Sequence, residues 1–493
     1  MQRALFLLLC LGPTLATAQI PADEYAERRQ ALATEVGRGA IVAFGEPEPR
    51  HDYLEFVQGS RFQYLTGYRE SNAVLITVAG SGAPASILFV YPRDPATEVW
   101  SGKRFGPHGA TKATGIPARL LDELPAVLDS IAATGLPVML VSDAAGDDDA
   151  NPDRARLARL LGARAGAIRD LGTSVDRLRG HKSAAELALI RKAVDITVVA
   201  HREAMRLIQA GMNEFEVEAL IEYTFRRNGA DRPAFASIVG SGPNATTLHY
   251  NANDRFMQAG EVVVMDVGAS YRGYAADVTR TVPVSGTFTP EQRAIYQIVR
   301  EAQSAAEREA KVGADAMLMT RAAVQALASG LARLGLIESP TATYDCSDRG
   351  ESAECPQLQL FYMHGLGHGI GLDVHDPEQF YYTERIEEGS AFTIEPGIYV
   401  REHVLETLSD TRRNREVAAK LRAAVTRYAN IGIRIEDDYV VTADGVEWIS
   451  RAPREIDEVE AAMREPFTGP VARDSSVIDW YRATEPKAAL PTP

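Results

Sequence analysis

Short apolar runs at Ala40 to Phe44, Val74 to Val78, Ile87 to Val90 and Val138 to Val141 are set off by Gly, Pro and polar residues. Runs this short and rich in Val, Ile and Phe predict strands. Between them, the apolar positions from Ala118 to Ala133 recur at helical spacing and predict one continuous helix. The pattern is that of a mixed α/β amino-terminal domain, here placed at 19–175. A boundary falls near Gly172 to Lys182. Ser183 then opens a helix with Glu186 at the capping-box position, and Leu187, Ile190, Val194 and Val198 carry the helical period onward. A second domain is assigned to 176–460. In it, Thr289-Pro290-Glu291-Gln292 is another helix start, and a helix from about Ala316 to Leu334 stops at Gly335. The stretch from Val400 to Asn430 reads as a charged, partly helical surface excursion between strands, and 461–493 as a tail. The fold class is therefore α/β (α+β), without a repeat at solenoid or propeller periods.

One segment of the second domain stands apart. From Val262 an apolar run stops at Asp266, and a second segment alternates Ala276, Val278, Arg280 and Val282 with Asp277, Thr279 and Thr281. This predicts a hairpin across Ser270-Tyr271-Arg272-Gly273. With the turn centred between Tyr271 and Arg272, Asp266 faces Asp277 at a Cα separation of roughly 4.5 to 5.5 Å. A bulge would shift that register. Two opposed carboxylates at the end of an apolar strand repel unless one is protonated or a cation lies between them. The plainer reading, two solvated turn flanks, stands against the metal site until further residues are weighed.

Composition narrows the classes. An apolar fraction of 45% is that of an ordinary globular chain, and a net charge of −15 without a basic patch opposes nucleic-acid or anionic-membrane partners. Residues 1–18 pair Arg3 with an apolar core from Ala4 to Leu11 and end in Ala16-Thr17-Ala18, the pattern of a cleaved secretory signal. Lipidation at Cys10 is the alternative, opposed by the bulky Leu9 before it. The mature chain would begin near Gln19 in a periplasmic or secreted setting, with no later apolar segment long enough to span a membrane. There Cys346 and Cys355 would be able to close a small ring; two free thiols is the competing reading. Asp147-Asp148-Asp149 reads as a solvated loop, because the EF-hand calcium spacing is absent.

Downstream, His364-Gly-Leu-Gly-His368-Gly-Ile-Gly-Leu-Asp-Val-His375-Asp376 gathers histidines among glycines, which predicts bare backbone where the chain approaches a ligand. A phosphate cradle is the rival, but the P-loop lysine and the dinucleotide spacing are missing. Glu395 ends Phe392-Thr-Ile-Glu, and Glu436 ends Ile431-Gly-Ile-Arg-Ile-Glu. Asp266, Asp277, His368, Glu395 and Glu436 would supply a hard, oxygen-rich donor set with one imidazole. Four carboxylates nearly neutralise two divalent ions, which points to a two-metal hydrolytic centre.

These residues closely resemble the pita-bread metallopeptidases and, among them, the Xaa-Pro aminopeptidases (aminopeptidase P). The family's D-x-G strand, D-x-T-R-T, HGxGHxxGLxxHD, I-E-P-G and I-R-I-E-D patterns are matched at Asp266, Asp277, His368, Glu395 and Glu436. Ile238-Val-Gly-Ser-Gly and His249-Tyr-Asn resemble the rim of its site, and Phe62-Gln-Tyr-Leu-Thr-Gly-Tyr, Phe89-Val-Tyr-Pro-Arg-Asp and Trp100-Ser-Gly its amino-terminal domain, so the likeness covers most of 50–450. The resemblance implies a pita-bread catalytic domain, and the oxygen-dominated donor set suits manganese for its two divalent ions, with zinc or cobalt as alternatives. It implies substrates with proline at the second position and a dimer or tetramer. It also assigns Glu395 to proton transfer, His249 and His375 to substrate and oxyanion, and His364 to the lining; Arg434, two residues before Glu436 and so on the same strand face, is expected to support the metal-bound carboxylates. A longer stretch between the two glutamates and the Cys346 to Cys355 loop depart from the pattern and would reshape the mouth. The alternatives are a prolidase restricted to Xaa-Pro dipeptides and a metal-free binding protein on the same fold, such as the creatine amidinohydrolase branch.

Overall fold

The computed structural model describes residues 20–470 apart from 52, 81, 145–150, 347–352 and 384, together with 472, 475, 476 and 479. The leader, Asp147-Asp148-Asp149 and most of the tail lie outside the described residues. Among the latter, no helix is long and apolar enough to cross a membrane.

The amino-terminal half is built on a six-stranded sheet of β1 (Gly39–Phe44), β2 (Val74–Ala79), β3 (Ala85–Val90), β4 (Ala118–Leu120), β5 (Val138–Val141) and β6 (Arg169–Asp170). Its order is β4-β3-β2-β1-β5-β6, antiparallel across β1, β2 and β3 and parallel elsewhere. Strands covered on both faces read as unbroken apolar runs, and here Val42, Phe44 and Ile76 face Leu124, Leu128 and Leu157 of two helices. The alternate residues Ile41, Ala43 and Leu75 turn to the other face, with Phe62 and Leu65 of the helix Ser60–Thr66. The helix expected over Ala118 to Ala133 is shorter. Ala118–Leu120 pairs with β3 as an edge strand, and the α-helix begins only at Leu124, where Pro125 occupies a first-turn position.

The helix Gly172–Arg179 leads into the second half, where Ser183 caps the helix Ala184–Leu207 through a reciprocal capping box with Glu186. The strands that follow are β7 (Arg232–Pro233), β8 (Ile238–Ser241), β9 (Val262–Val267), β10 (Ala269–Tyr271), β11 (Tyr274–Ala275) and β12 (Val278–Pro283). Beyond them lie β13 (Thr343–Asp345), β14 (Glu354–Pro356), β15 (Ala391–Ile394), β16 (Gly397–Val400), β17 (Ile431–Arg434), β18 (Asp437–Thr442) and β19 (Gly445–Trp448). They form the small sheets β12-β9-β8, β11-β10-β7, β15-β18-β19 and β16-β17, with β13 and β14 paired. An isolated bridge from Thr279 to Glu436 joins the first of these sheets to the β17–β18 corner. The helices Ala184–Leu207 and Glu214–Arg227 pack on the earlier strands, and Pro290–Glu309, backed by Met317–Leu334, packs on the later ones.

One further expectation needs correction. The hairpin turns at Arg272-Gly273, both at positive φ (54° and 89°), so Tyr271 faces Tyr274 and Asp266 faces Thr279 rather than Asp277. Asp277 lies two residues before Thr279. A register displaced by two residues preserves which face each side chain occupies, so both aspartates still point the same way. The 400–430 excursion is partly helical and lies between β16 and β17, as expected; its helix, Arg412–Tyr428, buries Val417, Leu421, Val425 and Tyr428 at helical spacing. Its Asn414 donates to the Asp345 carbonyl beside β13. Cys346 and Cys355 are joined in a disulfide that closes this hairpin.

Candidate metal centre

Each of the four acids sits at the end of a strand or just beyond it. Asp266 lies near the end of β9, Asp277 immediately before β12, Glu395 after β15, and Glu436 between β17 and β18. His368 comes from the glycine-rich loop, which bridges to β15 through Gly369 and Phe392. All five line one cavity of about 280 Å³, together with His249, His375, Phe235, Ile238 and Asn251. The tightest group is Asp277, His368 and Glu436, whose donor atoms lie within 4.8 Å of one another. His368 Nε2 is 3.5 Å from Asp277 Oδ2 and 3.9 Å from oxygens of Glu395 and Glu436. Its Nδ1 lies 3.0 Å from the Gly369 carbonyl and donates to it, which leaves the Nε2 lone pair facing the acids.

The electrostatics call for a cation. Burial, then Glu436 and Asp266, raise the Asp277 carboxyl well above its usual range; burial, then Glu436, do the same to Glu395. Glu436 is pushed up to about 8 by burial and by Asp266. His368 is held down at about 3, first by burial and then by His375, so it stays neutral and offers these acids no charge. The buried oxygens Asp266 Oδ1, Asp277 Oδ1 and Glu436 Oε1 have no hydrogen-bond partner within the protein. Unpaired buried acceptors are costly. The donor set fits hard divalent ions, which would supply the missing partner and displace the protons.

Arg434 supports the group. Its Nη2 meets Asp266 Oδ2 at 2.5 Å, its Nη1 donates to Tyr399 Oη at 2.8 Å, and its Nε to Thr279 Oγ1 at 3.3 Å. Thr279 in turn donates to Glu436 Oε2 at 2.7 Å. His249 and His375 stand on the cavity wall as expected from the sequence. His364 does not line it. It stands behind Glu395, its Nδ1 3.6 Å from Oε2, with Nε2 accepting from Tyr399 at 2.8 Å. Burial drives its pKa down to about 3.

Sequence reasoning passed over Tyr399, Thr279, Arg280 and Asp438. Arg280 is fully buried and donates to the carbonyl of Glu436 and to Asp437, fixing the strand end that carries Glu436. Asp438 accepts the backbone N–H of Asp277 at 3.1 Å. The one available signal was polar side chains inside otherwise buried strands. The glycines also serve another purpose than expected. A β-carbon at Gly367 would lie 2.4 Å from the Thr393 carbonyl, and one at Gly369 2.5 Å from Pro377, so bare backbone there admits other chain segments.

With this geometry in hand, the comparisons are concordant. The model of metallopeptidase family M24 matches residues 188–443, and that of the aminopeptidase P amino-terminal domain matches 25–138. The Xaa-Pro aminopeptidase of Escherichia coli K12 is 34% identical over 91% of this chain and 99% of its own length. A human Xaa-Pro dipeptidase is 31% identical over 92% of this chain and 97% of its own. Among solved structures, Pseudomonas aeruginosa aminopeptidase PepP aligns with a TM-score of 0.75 at 34% identity, covering 90% of this chain and 98% of that one. Escherichia coli aminopeptidase P with the inhibitor Pro-Leu aligns with a TM-score of 0.75 at 32% identity, over the same shares.

Proposed function

The chain belongs to metallopeptidase family M24 and carries the aminopeptidase P amino-terminal domain, and from that premise we propose that it is a Xaa-Pro aminopeptidase, releasing the residue before an amino-terminal proline. The observation that carries this reading is the convergence of five donors on one cavity with three carboxylate oxygens left unpaired. Asp266, Asp277, His368, Glu395 and Glu436 would hold two divalent ions, with manganese favoured by the oxygen-dominated set and zinc or cobalt able to replace it. When bound, such ions acidify a water and polarise the scissile carbonyl.

The protein's own groups do the rest. Glu395, on the cavity wall with His364 behind it, is the carboxylate we place to take a proton from the attacking water and pass it to the departing proline nitrogen. His375, whose pKa is lowered first by desolvation, and His249 reach the cavity from separate segments of chain and would donate to the oxygen on which charge develops. Arg434 and Thr279 hold Asp266 and Glu436 in register, and His364 braces Glu395 and Tyr399.

A dipeptidase is the competing reading within the family. The structural likeness to aminopeptidase P over nine-tenths of the chain favours the aminopeptidase. Turnover of a Xaa-Pro-Xaa tripeptide is expected to exceed that of the matching Xaa-Pro dipeptide; hydrolysis of the dipeptide alone would overturn the choice. We also propose export to an oxidising compartment, supported by the leader pattern and by the Cys346–Cys355 disulfide. Sequencing the mature amino terminus should start near Gln19, and a retained Met1 would remove this proposal.

A further inference from the structure

The segment from His368 to Pro377 folds back on itself. The Asp376 N–H donates to the Gly369 carbonyl at 2.7 Å, and the Gly369 N–H to the Pro377 carbonyl at 2.9 Å. This brings the rings of His368 and His375 to 4.0 Å between centroids. His375 stands where two cavities meet. One is the metal cavity, and the other, of about 860 Å³, lies between the amino-terminal and catalytic halves.

The groups that hold this fold-back come from outside the catalytic sheets. Arg179, at the end of the helix joining the two halves, is only 3% exposed. Its Nη2 donates to Asp376 Oδ2 at 2.7 Å and to Asp373 Oδ2 at 2.6 Å, and its Nε donates to Asp376 Oδ2 at 3.2 Å. The same Asp376 oxygen accepts the Leu372 N–H at 3.0 Å. Lys182 donates to the Asp376 carbonyl. From the helix Ser60–Thr66 of the amino-terminal half, Ser60 Oγ donates to Asp373 Oδ1 at 2.5 Å. Gly371 makes room for this, since a β-carbon there would lie 2.4 Å from Asp376 Oδ2.

His375 is thus flanked on both sides by carboxylates tied to Arg179. The imidazole's own acidic neighbour, Glu378, is 4.0 Å away, beyond hydrogen-bond range. We infer that Arg179 is a positioning residue: acting through Asp373 and Asp376, and with Ser60, it sets where His375 stands over the metal cavity. The amino-terminal half then contributes directly to the geometry of the site in its own chain. The effect on rate rests on the peptidase reading above, because a displaced donor weakens transition-state stabilisation far more than it weakens binding.

Removing a buried guanidinium outright strands Asp376 and endangers folding. The test therefore uses Arg179→Lys and the milder Ser60→Ala, each in the unmutated enzyme and in His375→Ala. Against a Xaa-Pro-Xaa tripeptide, Arg179→Lys should lower kcat by about ten- to a hundredfold with KM within about twofold, and Ser60→Ala less in the same direction. In His375→Ala neither should lower kcat further, the non-additivity expected of residues acting through one group. A second readout is independent of turnover. Carbethoxylation of His375, followed by mass spectrometry of the holoenzyme, should quicken several-fold in Arg179→Lys while that of His249 stays constant. Equal kcat losses in both backgrounds, or an unchanged rate of His375 modification, would overturn the inference. An unmutated enzyme inactive on Xaa-Pro peptides would count against the peptidase reading, and the modification rates would still decide the role of Arg179.

Discussion

Asp277→Ala is expected to lose turnover of a Xaa-Pro-Xaa tripeptide by about a thousandfold or more, equivalent to about 4 kcal/mol of transition-state stabilisation. Asp277 belongs to the tightest donor group, and its Oδ1 is buried with no partner. Alanine at this position takes away an oxygen donor without creating a large void. The variant should fold, because burial and Glu436 hold the metal-free carboxyl well above its usual pKa, so at neutral pH the proton it must take up on folding costs stability rather than adding to it. Thermal unfolding of the metal-free variant at or above that of the metal-free original, with activity gone, is the combination that assigns Asp277 to the chemistry. Turnover within about threefold of the original would remove the centre.

Glu395→Gln removes the proton-transfer group, and because Glu395 is also a metal donor the variant is assayed at a metal content matched to the original. The amide keeps the size of the side chain, has no proton to shuttle, and relieves the like-charge repulsion among Glu395, Glu436 and Asp266. A drop in kcat of about 10² to 10⁴ is expected, the range for losing a positioned general acid or base. KM should change much less. His364 Nδ1 lies 3.6 Å from Glu395 Oε2, but with its pKa lowered to about 3 by burial, Nδ1 donating to the Gly365 carbonyl and Nε2 engaged by Tyr399, that imidazole is too weak a base to take over the role. The pH profile of residual activity should lose the limb that Glu395 contributes. A variant with near-normal kcat would reassign the proton to another group.

Much of the centre was readable in the chain because each acid ends or follows an apolar run, a pattern with few structural explanations once five coincide. Asp266, Asp277, Glu395 and Glu436 needed only strand ends to be found, and strand ends survive an error in register. The hairpin shows this. Its turn was misplaced because Arg272 adopts a positive φ that L-residues seldom take, yet the displacement was even and left both aspartates on the cavity side. Residues that work by long-range contact left no such trace. Tyr399 sits in an apolar strand opposite Gly432 and looks like core; only the fold brings Arg434 and His364 to its hydroxyl. Arg179 and Asp376 are 197 residues apart, and no local spacing announces their pairing. The glycines near His368 were read as clearance for a ligand, whereas at 367, 369 and 371 they admit the chain itself.

This cavity is expected to bind divalent ions in exchange for protons. Glu436, pushed up to about 8 in the metal-free protein, holds a proton at neutral pH that an ion must displace, so affinity should rise with pH and fall as acid restores the proton. Elemental analysis after equilibration with manganese and removal of free ion measures this directly. About two ions per chain are expected near pH 8, progressively fewer toward pH 5.5, with a marked loss at pH 8 in Asp277→Ala. Only trace metal at pH 8 in the unmutated protein, or a content indifferent to Asp277, would contradict it.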